Sequence, residues 1–193
     1  MGIIKKYTEN NCQIAIWDLT ESLTELLKLG ARFDSSNFKT EKRKKEFLVS
    51  RLLLNELESN QQISYNSKGA PETSNGKHIS ISHSKNLVAI IISDKKVGLD
   101  IEYISEKPLR LSPKFITDNS HQDLTKEKAT LIWCCKEAVF KWHQKGSVDF
   151  KKDILISPFI MKEKGKIETR FNKTKHTLYY TKIDTHYLVY VCK

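Results

Sequence analysis

Apolar side chains recur at helical spacing in three segments of the chain. The spacing of about 3.6 residues predicts helices at about 19–29, 39–59 and 125–145. Asp18 followed by Glu21 resembles a capping box for the first helix, and Gly30 is a plausible residue just beyond its end. The stretch from Tyr65 to Lys77 is rich in turn residues and predicts a loop.

A second pattern consists of short apolar or alternating runs separated by polar turns. It predicts three consecutive antiparallel strands, a β-meander, at about 78–83, 87–93 and 97–103. After a loop containing Pro108 and Pro113, and beyond the third helix, the chain from Asp153 is typical of further short strands, the last at Tyr187–Cys192. Helices and antiparallel strands in two successive groups predict an α+β fold rather than a parallel βαβ sheet.

Composition limits the class of protein. The 193 residues are 39% hydrophobic and 29% charged, which is typical of a globular chain and excludes collagen-like and disordered classes. The longest apolar run, Leu87–Ile92, is far shorter than the roughly 20 residues that span a bilayer. The first ten residues carry charges and no apolar signal segment. We therefore expect a cytoplasmic protein that does not associate with membranes.

Charge and cysteine content add two expectations. Lysine and arginine outnumber aspartate and glutamate by 33 to 23, and the net charge of +10 favours an anionic partner. Residues 39–45 concentrate this charge at the start of the second helix, where a bound anion would offset the unfavourable helix dipole. The four cysteines form no CxxC pair, so neither a zinc site nor a disulfide framework is expected.

Candidate chemistry begins in the predicted strand 97–102. Alternation places Gly98, Asp100 and Glu102 on one face, so two carboxylates stand side by side and Gly98 leaves room for a ligand. A hard divalent cation such as Mg²⁺ would relieve the repulsion between them, although a merely solvated acidic face is the alternative. Glu137 supplies a third carboxylate on the last helix, with Lys141 one turn later. His83 closes a predicted strand of the same meander and would share a sheet edge or face with Asp100.

Three short segments, in this order, carry a family resemblance: Ser82-His83-Ser84, VGLDIE at 97–102 and WCCKEA at 133–138. Together they resemble the motif set of 4′-phosphopantetheinyl transferases of the surfactin-synthetase-activating type. The resemblance implies two similar α+β halves related by a pseudo-twofold axis, 1–98 and 99–193, with the active site between them. It also implies transfer of the phosphopantetheine arm of coenzyme A to a serine hydroxyl of an apo acyl or peptidyl carrier protein, with release of adenosine 3′,5′-bisphosphate.

The resemblance also implies roles for individual residues. Mg²⁺ would be held by Asp100, Glu102 and Glu137. The catalytic set would be Asp100, Glu137 and Lys141, with Glu137 as the base for the serine hydroxyl and Lys141 stabilising the leaving phosphate. Coenzyme A phosphates would contact Ser82, His83, Lys136 and Lys141, and its nucleotide end would contact Arg51, Lys44 and Lys68. Two positions depart from the family pattern: Ala70 replaces a lysine, and Ser120, near Asp118 and Asp123, replaces an acidic residue.

Two other functions remain open from the residues alone. A metal-dependent nuclease would use the same carboxylates and Lys141, and a basic nucleic-acid-binding module would use the net charge. Neither explains Ser82-His83-Ser84 together with the tryptophan-containing helix, and no RRM, KH or zinc pattern is present. The expected partners are therefore coenzyme A and an acidic carrier protein, not nucleic acid. A monomer is expected, because both halves of the implied site belong to this chain.

Overall fold

The computed structural model of the chain describes residues 2–117, 121 and 123–193. These residues divide into two compact units, Met1–Val97 and Gly98–Lys193. Asp118 and Ser120, where a further acidic residue was sought, lie outside the described residues.

The first unit is a six-stranded antiparallel sheet with two helices. The elements are β1 (Ile3–Glu9), β2 (Cys12–Asp18), α1 (Leu23–Leu29), α2 (Glu41–Leu57), β3 (Ile63–Tyr65), β4 (Pro71–Thr73), β5 (His78–Ser84) and β6 (Leu87–Ser93). The order of the strands in the sheet is β1-β2-β6-β5-β4-β3. The core of this unit lies between the sheet and the helices, where Leu48, Leu53 and Leu54 of α2 pack with Trp17 and Ile90.

The β1–β2 hairpin was not predicted, although its turn has a recognisable sequence. Asn10 and Asn11 connect the strands with φ values of 52° and 61°, and Glu9 pairs with Cys12. Asparagine tolerates the left-handed region that a two-residue hairpin turn requires. The Asn-Asn pair was therefore the signal for this hairpin.

Helix α1 begins later than the sequence indicates. Ser22 is its N-cap and forms a complete capping box with Glu25, whereas Asp18 ends β2 and Glu21 accepts a hydrogen bond from Trp17 Nε1. The predicted capping pair was thus wrong by one turn. The longer α2 is confirmed, with Thr40 accepting a hydrogen bond from the backbone N–H of Arg43.

The stretch from Tyr65 to Lys77 is not a simple loop. It begins with the last residue of β3 and contains β4, and the two strands pair with each other. Ile63 pairs with Thr73, Ser64 with Glu72 and Tyr65 with Pro71. Strands of three residues give too short an alternation to be recognised among so many turn residues.

The second unit is a five-stranded sheet covered by a long helix. The elements are β7 (Val97–Tyr103), α3 (Glu106–Leu111), a 3₁₀ turn (Ser112–Lys114), α4 (Lys126–His143), β8 (Ile154–Ile156), β9 (Lys164–Phe171), β10 (Thr174–Ile183) and β11 (His186–Cys192). The order of the strands in the sheet is β7-β11-β10-β9-β8. The core of this unit contains Cys135, Ala138 and Val139 of α4, which pack with Leu178 and Val189 of the sheet.

The predicted β-meander is wrong in its third strand. β5 and β6 form a hairpin, but β7 leaves for the second sheet and lies beside β11 at the far end of the sequence. His83 and Asp100 therefore belong to different sheets and share no sheet edge or face. A short polar turn such as 94–96 indicates that a strand follows but not which strand it pairs with.

Two details of the second unit also differ from the sequence expectation. The segment after β7 contains α3, in which Pro108 occupies the first turn, where no intrahelical N–H bond is required. Helix α4 ends at His143 rather than just before Gly146, and Gln144, whose φ of 62° lies in the left-handed region, is its C-terminal cap.

The thiols of Cys12, Cys134 and Cys135 are buried and that of Cys192 is partly buried, and no two of them form a disulfide in the described part of the chain. The α+β class is confirmed. Within the described residues, no helix is long and apolar enough to cross a membrane.

Candidate active site

The backbone of α4 lies directly against β7 at Gly98. A Cβ atom at this position would lie 2.5 Å from the backbone nitrogen of Trp142 and would also collide with the carbonyl oxygen of Ala138. The space beside Gly98, expected to admit a ligand, is therefore filled by the helix. Glycine here permits a close approach that no other residue allows, and this approach brings the C-terminal half of α4 onto the acidic face of β7.

Lys141 uses this approach to reach Asp100. Its ammonium nitrogen lies 2.7 Å from Asp100 Oδ1, and the Asp100 side chain is only 4% exposed. Lys141 also lies one turn after Glu137 on α4, which is the spacing of a helical ion pair. The ion pair with Asp100 supplies the charged hydrogen-bond partner that a buried carboxylate requires.

Trp133 orients the second carboxylate of β7. Its indole Nε1 donates a hydrogen bond to Glu102 Oε1 at 3.2 Å. The indole ring is itself held by edge-to-face contact with Phe115, at a centroid distance of 5.0 Å, and by Phe150 at 5.4 Å. The tryptophan of the WCCKEA segment therefore links the aromatic core of the unit to Glu102.

Glu137 is the third carboxylate, and its surroundings favour the neutral acid. Burial raises the pKa of Glu137 to about 7, the negative charges of Asp100 and Glu102 add to the increase, and Lys141 opposes it. Three carboxylates thus influence one another beside a lysine. A set of carboxylate oxygens destabilised by burial and mutual repulsion has the donor chemistry that fits a hard divalent cation.

These carboxylates do not form a ready-made metal site. In the part of the chain that the structure describes, no three Asp, Glu, His or Cys side chains are arranged to hold one ion. The ammonium group of Lys141 donates a hydrogen bond to Asp100 Oδ1, and the indole N–H of Trp133 donates one to Glu102 Oε1, so both carboxylate oxygens already have partners. The predicted Mg²⁺ ligands are thus close enough to interact electrostatically, but they are engaged with other side chains.

Lys136 is a core residue, although it was expected to contact phosphate. It is 3% exposed, and its ammonium group donates to the carbonyl oxygen of Phe150 at 2.6 Å and to that of Ile154. Burial lowers the pKa of Lys136 to about 8. The side chain therefore ties α4 to the segment that leads into β8.

In the first unit, His83 belongs to a cluster with two residues of α2. Arg43 Nη1 lies 2.8 Å from His83 Nε2 and 3.1 Å from Glu46 Oε2, and His83 Nδ1 lies 3.3 Å from Glu46 Oε1. Lys42 also pairs with Glu46, at 3.8 Å. Ser82 precedes His83 in β5 and is 4% exposed. Part of the basic charge at the start of α2 is therefore neutralised by Glu46 in the next turn.

The three candidates for the nucleotide end differ in accessibility. Arg51 is only 7% exposed, with its guanidinium carbon 3.6 Å from the centroid of the Phe47 ring and Nη1 2.9 Å from Ser50 Oγ. Lys68 is exposed in the turn before Ala70, and Lys44 is half-buried on α2.

Sequence reasoning overlooked the structural importance of Arg43, Glu46 and Trp133. Arg43 and Glu46 are separated by three residues on α2, which is the spacing of a helical ion pair. That spacing was the available signal, and it was hidden by the surrounding lysines.

Comparison with known proteins identifies the class to which this site belongs. Residues 96–192 match the profile of the 4′-phosphopantetheinyl transferase superfamily. Two relatives are similar over part of their length. The 4′-phosphopantetheinyl transferase psf-1 of Bacillus pumilus is 33% identical over 76 residues, which is 36% of this chain and 33% of the relative. The 4′-phosphopantetheinyl transferase gsp of Aneurinibacillus migulanus is 31% identical over 111 residues, which is 52% of this chain and 47% of the relative.

The matched region contains β7, α4 and all four charged residues of the candidate site in the second unit. The chain belongs to the 4′-phosphopantetheinyl transferase superfamily. The resemblance of its three motifs to that family is thereby confirmed. The aligned stretches span a third to just under half of the length of these relatives.

Proposed function

We propose that this protein transfers the 4′-phosphopantetheine group from coenzyme A to a serine hydroxyl of an apo carrier protein, releasing adenosine 3′,5′-bisphosphate. The observation that carries the proposal is the proximity of Asp100, Glu102 and Lys141 to Glu137, whose pKa all three influence, within the region that matches the family. Family membership supplies the reaction class, and the cluster supplies the charges that the reaction requires.

The donor set of Asp100, Glu102 and Glu137 would hold Mg²⁺, which when bound would neutralise negative charge on the pyrophosphate of coenzyme A. Trp133 assists by fixing the orientation of Glu102 through the indole N–H.

Lys141 is the proposed partner of the leaving phosphate. It lies 2.7 Å from a buried carboxylate, so its ammonium group is held in one place. A positioned ammonium stabilises the charge that develops on the leaving oxygen when the bond to the transferred phosphoryl group breaks.

Glu137 is the proposed acceptor of the serine proton, directly or through a water molecule. A base works best when its pKa lies near the working pH, because it is then both available and strong enough. Burial moves the pKa of Glu137 towards this range in the protein without metal, and a bound Mg²⁺ would favour the ionised form that accepts a proton.

In the first unit, Ser82, His83 and Arg43 are the proposed contacts of coenzyme A phosphates. Arg43 and His83 already form a joint polar group at the end of β5, which supports this assignment. Lys44 and Lys68 remain proposed contacts of the nucleotide end. Arg51 is assigned less directly, because its guanidinium group packs on Phe47.

An acidic carrier protein is the proposed acceptor. The net charge of +10 favours encounter with an acidic surface. We propose that the protein acts as a monomer in the cytoplasm.

The test is incubation of the protein with coenzyme A, Mg²⁺ and a panel of apo carrier proteins, followed by mass spectrometry of the carriers. We expect a phosphopantetheine adduct on the acceptor serine. The adduct should be lost with Asp100→Ala and Glu137→Gln and kept with Glu106→Gln, which changes a carboxylate that is 74% exposed on α3.

Failure to label carriers that are competent acceptors would contradict the proposal. If a known transferase labels the same carriers and this protein labels none of them, the proposal is wrong. A parallel incubation with supercoiled DNA tests the nuclease alternative, for which nicking dependent on Glu137 would be the signature.

A further inference from the structure

Glu46 is a buried carboxylate inside a basic cluster, and one of its oxygens lacks a well-aligned donor. The residue is 5% exposed, and its Oε2 accepts a hydrogen bond from Arg43. Its Oε1 is buried and makes no hydrogen bond of good geometry within the described residues. A buried carboxylate oxygen without a hydrogen-bond donor destabilises the folded protein, so a change that brings a donor to Oε1 is favourable.

The nearest group that can supply this donor is His83. Its Nδ1 lies 3.3 Å from Glu46 Oε1, and its Nε2 lies 2.8 Å from Arg43 Nη1. Arginine only donates, so Nε2 accepts here and the ring is neutral with its proton on Nδ1. In this state His83 offers no N–H at Nε2 to a phosphate.

Helix α2 brings charged groups to the ring of His83. Arg43 and Glu46 of α2 contact it, and Lys42 of the same helix reaches Glu46. Across the sheet, the partner of His83 on β6 is Val88, which is apolar. The carboxylate of Glu46 lies beside Nδ1 and therefore favours a positive charge on the ring.

We infer that Glu46 is a positioning residue that holds His83 in its doubly protonated form when a phosphate group of coenzyme A binds at Nε2. The inference rests on the proposed function. The ring takes one proton from solvent onto Nε2 and keeps it, so that Nε2–H donates a hydrogen bond to the phosphate while Nδ1–H donates to Glu46 Oε1. Arg43 is released from Nε2 and contributes its own N–H groups to the same phosphate. Ligand binding and protonation of His83 are thereby coupled.

The experiment follows the titration of the His83 ring by NMR in the full chain, with and without adenosine 3′,5′-bisphosphate. The resonance is assigned by comparison with His83→Gln. In the wild-type protein, the midpoint for His83 should rise by about 1 pH unit or more when the ligand is bound. In Glu46→Gln the rise should be less than half as large, and the affinity for the bisphosphate at neutral pH should fall roughly 5- to 10-fold.

Two further variants serve as controls for the role of Glu46. Glu41→Gln removes an exposed carboxylate from the first turn of the same helix and should titrate like the wild type. Glu46→Asp keeps the charge but withdraws the oxygen, and it should give an intermediate rise. It also serves in place of Glu46→Gln if that protein does not fold. A purely structural role for Glu46 would lower the melting temperature of Glu46→Gln and leave the His83 midpoint unchanged.

The outcomes separate this inference from the proposed function. If the bisphosphate binds and carriers are modified, but His83 titrates alike in Glu46→Gln and wild type, only the role of Glu46 is wrong. If the bisphosphate does not bind and no carrier is modified, the proposed function is wrong and the inference is overturned with it.

Discussion

Lys141 on α4 lies 2.7 Å from Asp100 on β7, and this ion pair joins the two elements that carry the candidate site. Removing one partner of a buried pair leaves the other charge without compensation. We expect Lys141→Met to lower the free energy of unfolding by about 1–3 kcal/mol, after allowance for the partial exposure of the lysine.

Urea denaturation of a double-mutant cycle checks this value. Asp100→Asn combined with Lys141→Met should cost less than the sum of the two single changes, by about 1 kcal/mol or more. Lys107→Met, an exposed lysine on α3, is the matched control and should have little effect. Additive single changes would show that the pair contributes nothing to stability.

Glu137 makes the stability of the metal-free protein depend on pH. The pKa is raised from 4.5 to about 7, so between these values the folded protein retains a proton that the unfolded chain loses. Stability is therefore lost as pH rises through this window, and the full cost of ionising Glu137 is present above pH 7. Glu137→Gln removes that cost.

Thermal unfolding in the presence of a chelator provides the measurement. Glu137→Gln should melt a few degrees above the wild type at pH 8, on the order of 2–4 °C for each kcal/mol, and close to it at pH 4.5. Adding Mg²⁺ at pH 8 should raise the melting temperature of the wild type more than that of the variant. A difference that is the same at both pH values would contradict the assigned pKa.

Gly98 sets the distance between β7 and α4. Gly98→Ala would force apart the backbones that meet at Trp142 and Ala138, which we expect to cost about 1–3 kcal/mol and to displace Lys141 from Asp100. Transfer activity should fall at least about 10-fold, because catalysis is sensitive to misplacement of about 1 Å. The comparison is Gly165→Ala, where the added atom meets only the Tyr180 side chain. Equal effects of the two changes would argue against a special role for Gly98.

Substitution of Lys136 distinguishes a structural role in the core from a contact with a phosphate of coenzyme A. Lys136→Met leaves the carbonyl groups of Phe150 and Ile154 without their shared donor, and the variant should be less stable by about 1–3 kcal/mol. Hydrogen exchange should accelerate at residues 150–156, whereas KM for coenzyme A should stay within about twofold of wild type, since less than ~0.5 kcal/mol of binding energy is at stake. A large rise in KM with unchanged stability would restore the phosphate contact.

Local patterns in the sequence predicted the elements that carry the site. Helices α2 and α4 are long, periodic and begin at threonine caps, so their existence followed from spacing alone. The alternation in β7 correctly placed Asp100 and Glu102 on one face. Asn10 and Asn11 carried a turn signal that was not used.

Long-range pairing could not be obtained in the same way. β7 lies beside β11, whose residues are more than 80 positions away in the sequence, and nothing local distinguishes this neighbour from β6. The contacts of Lys141, Lys136 and Glu46 depend on that tertiary arrangement and on burial. Their charges were visible in the sequence, but their partners were not.

The central claim is that Asp100, Glu102, Glu137 and Lys141 act together in phosphopantetheine transfer. The most direct test measures single-turnover transfer to an apo carrier protein for each single substitution at these four positions. The account predicts a loss of roughly 100-fold or more for each, equivalent to at least ~2.7 kcal/mol of transition-state stabilisation. Glu106→Gln and Lys107→Met should react at the wild-type rate. Transfer at the wild-type rate by Glu137→Gln or Lys141→Met would contradict the claim.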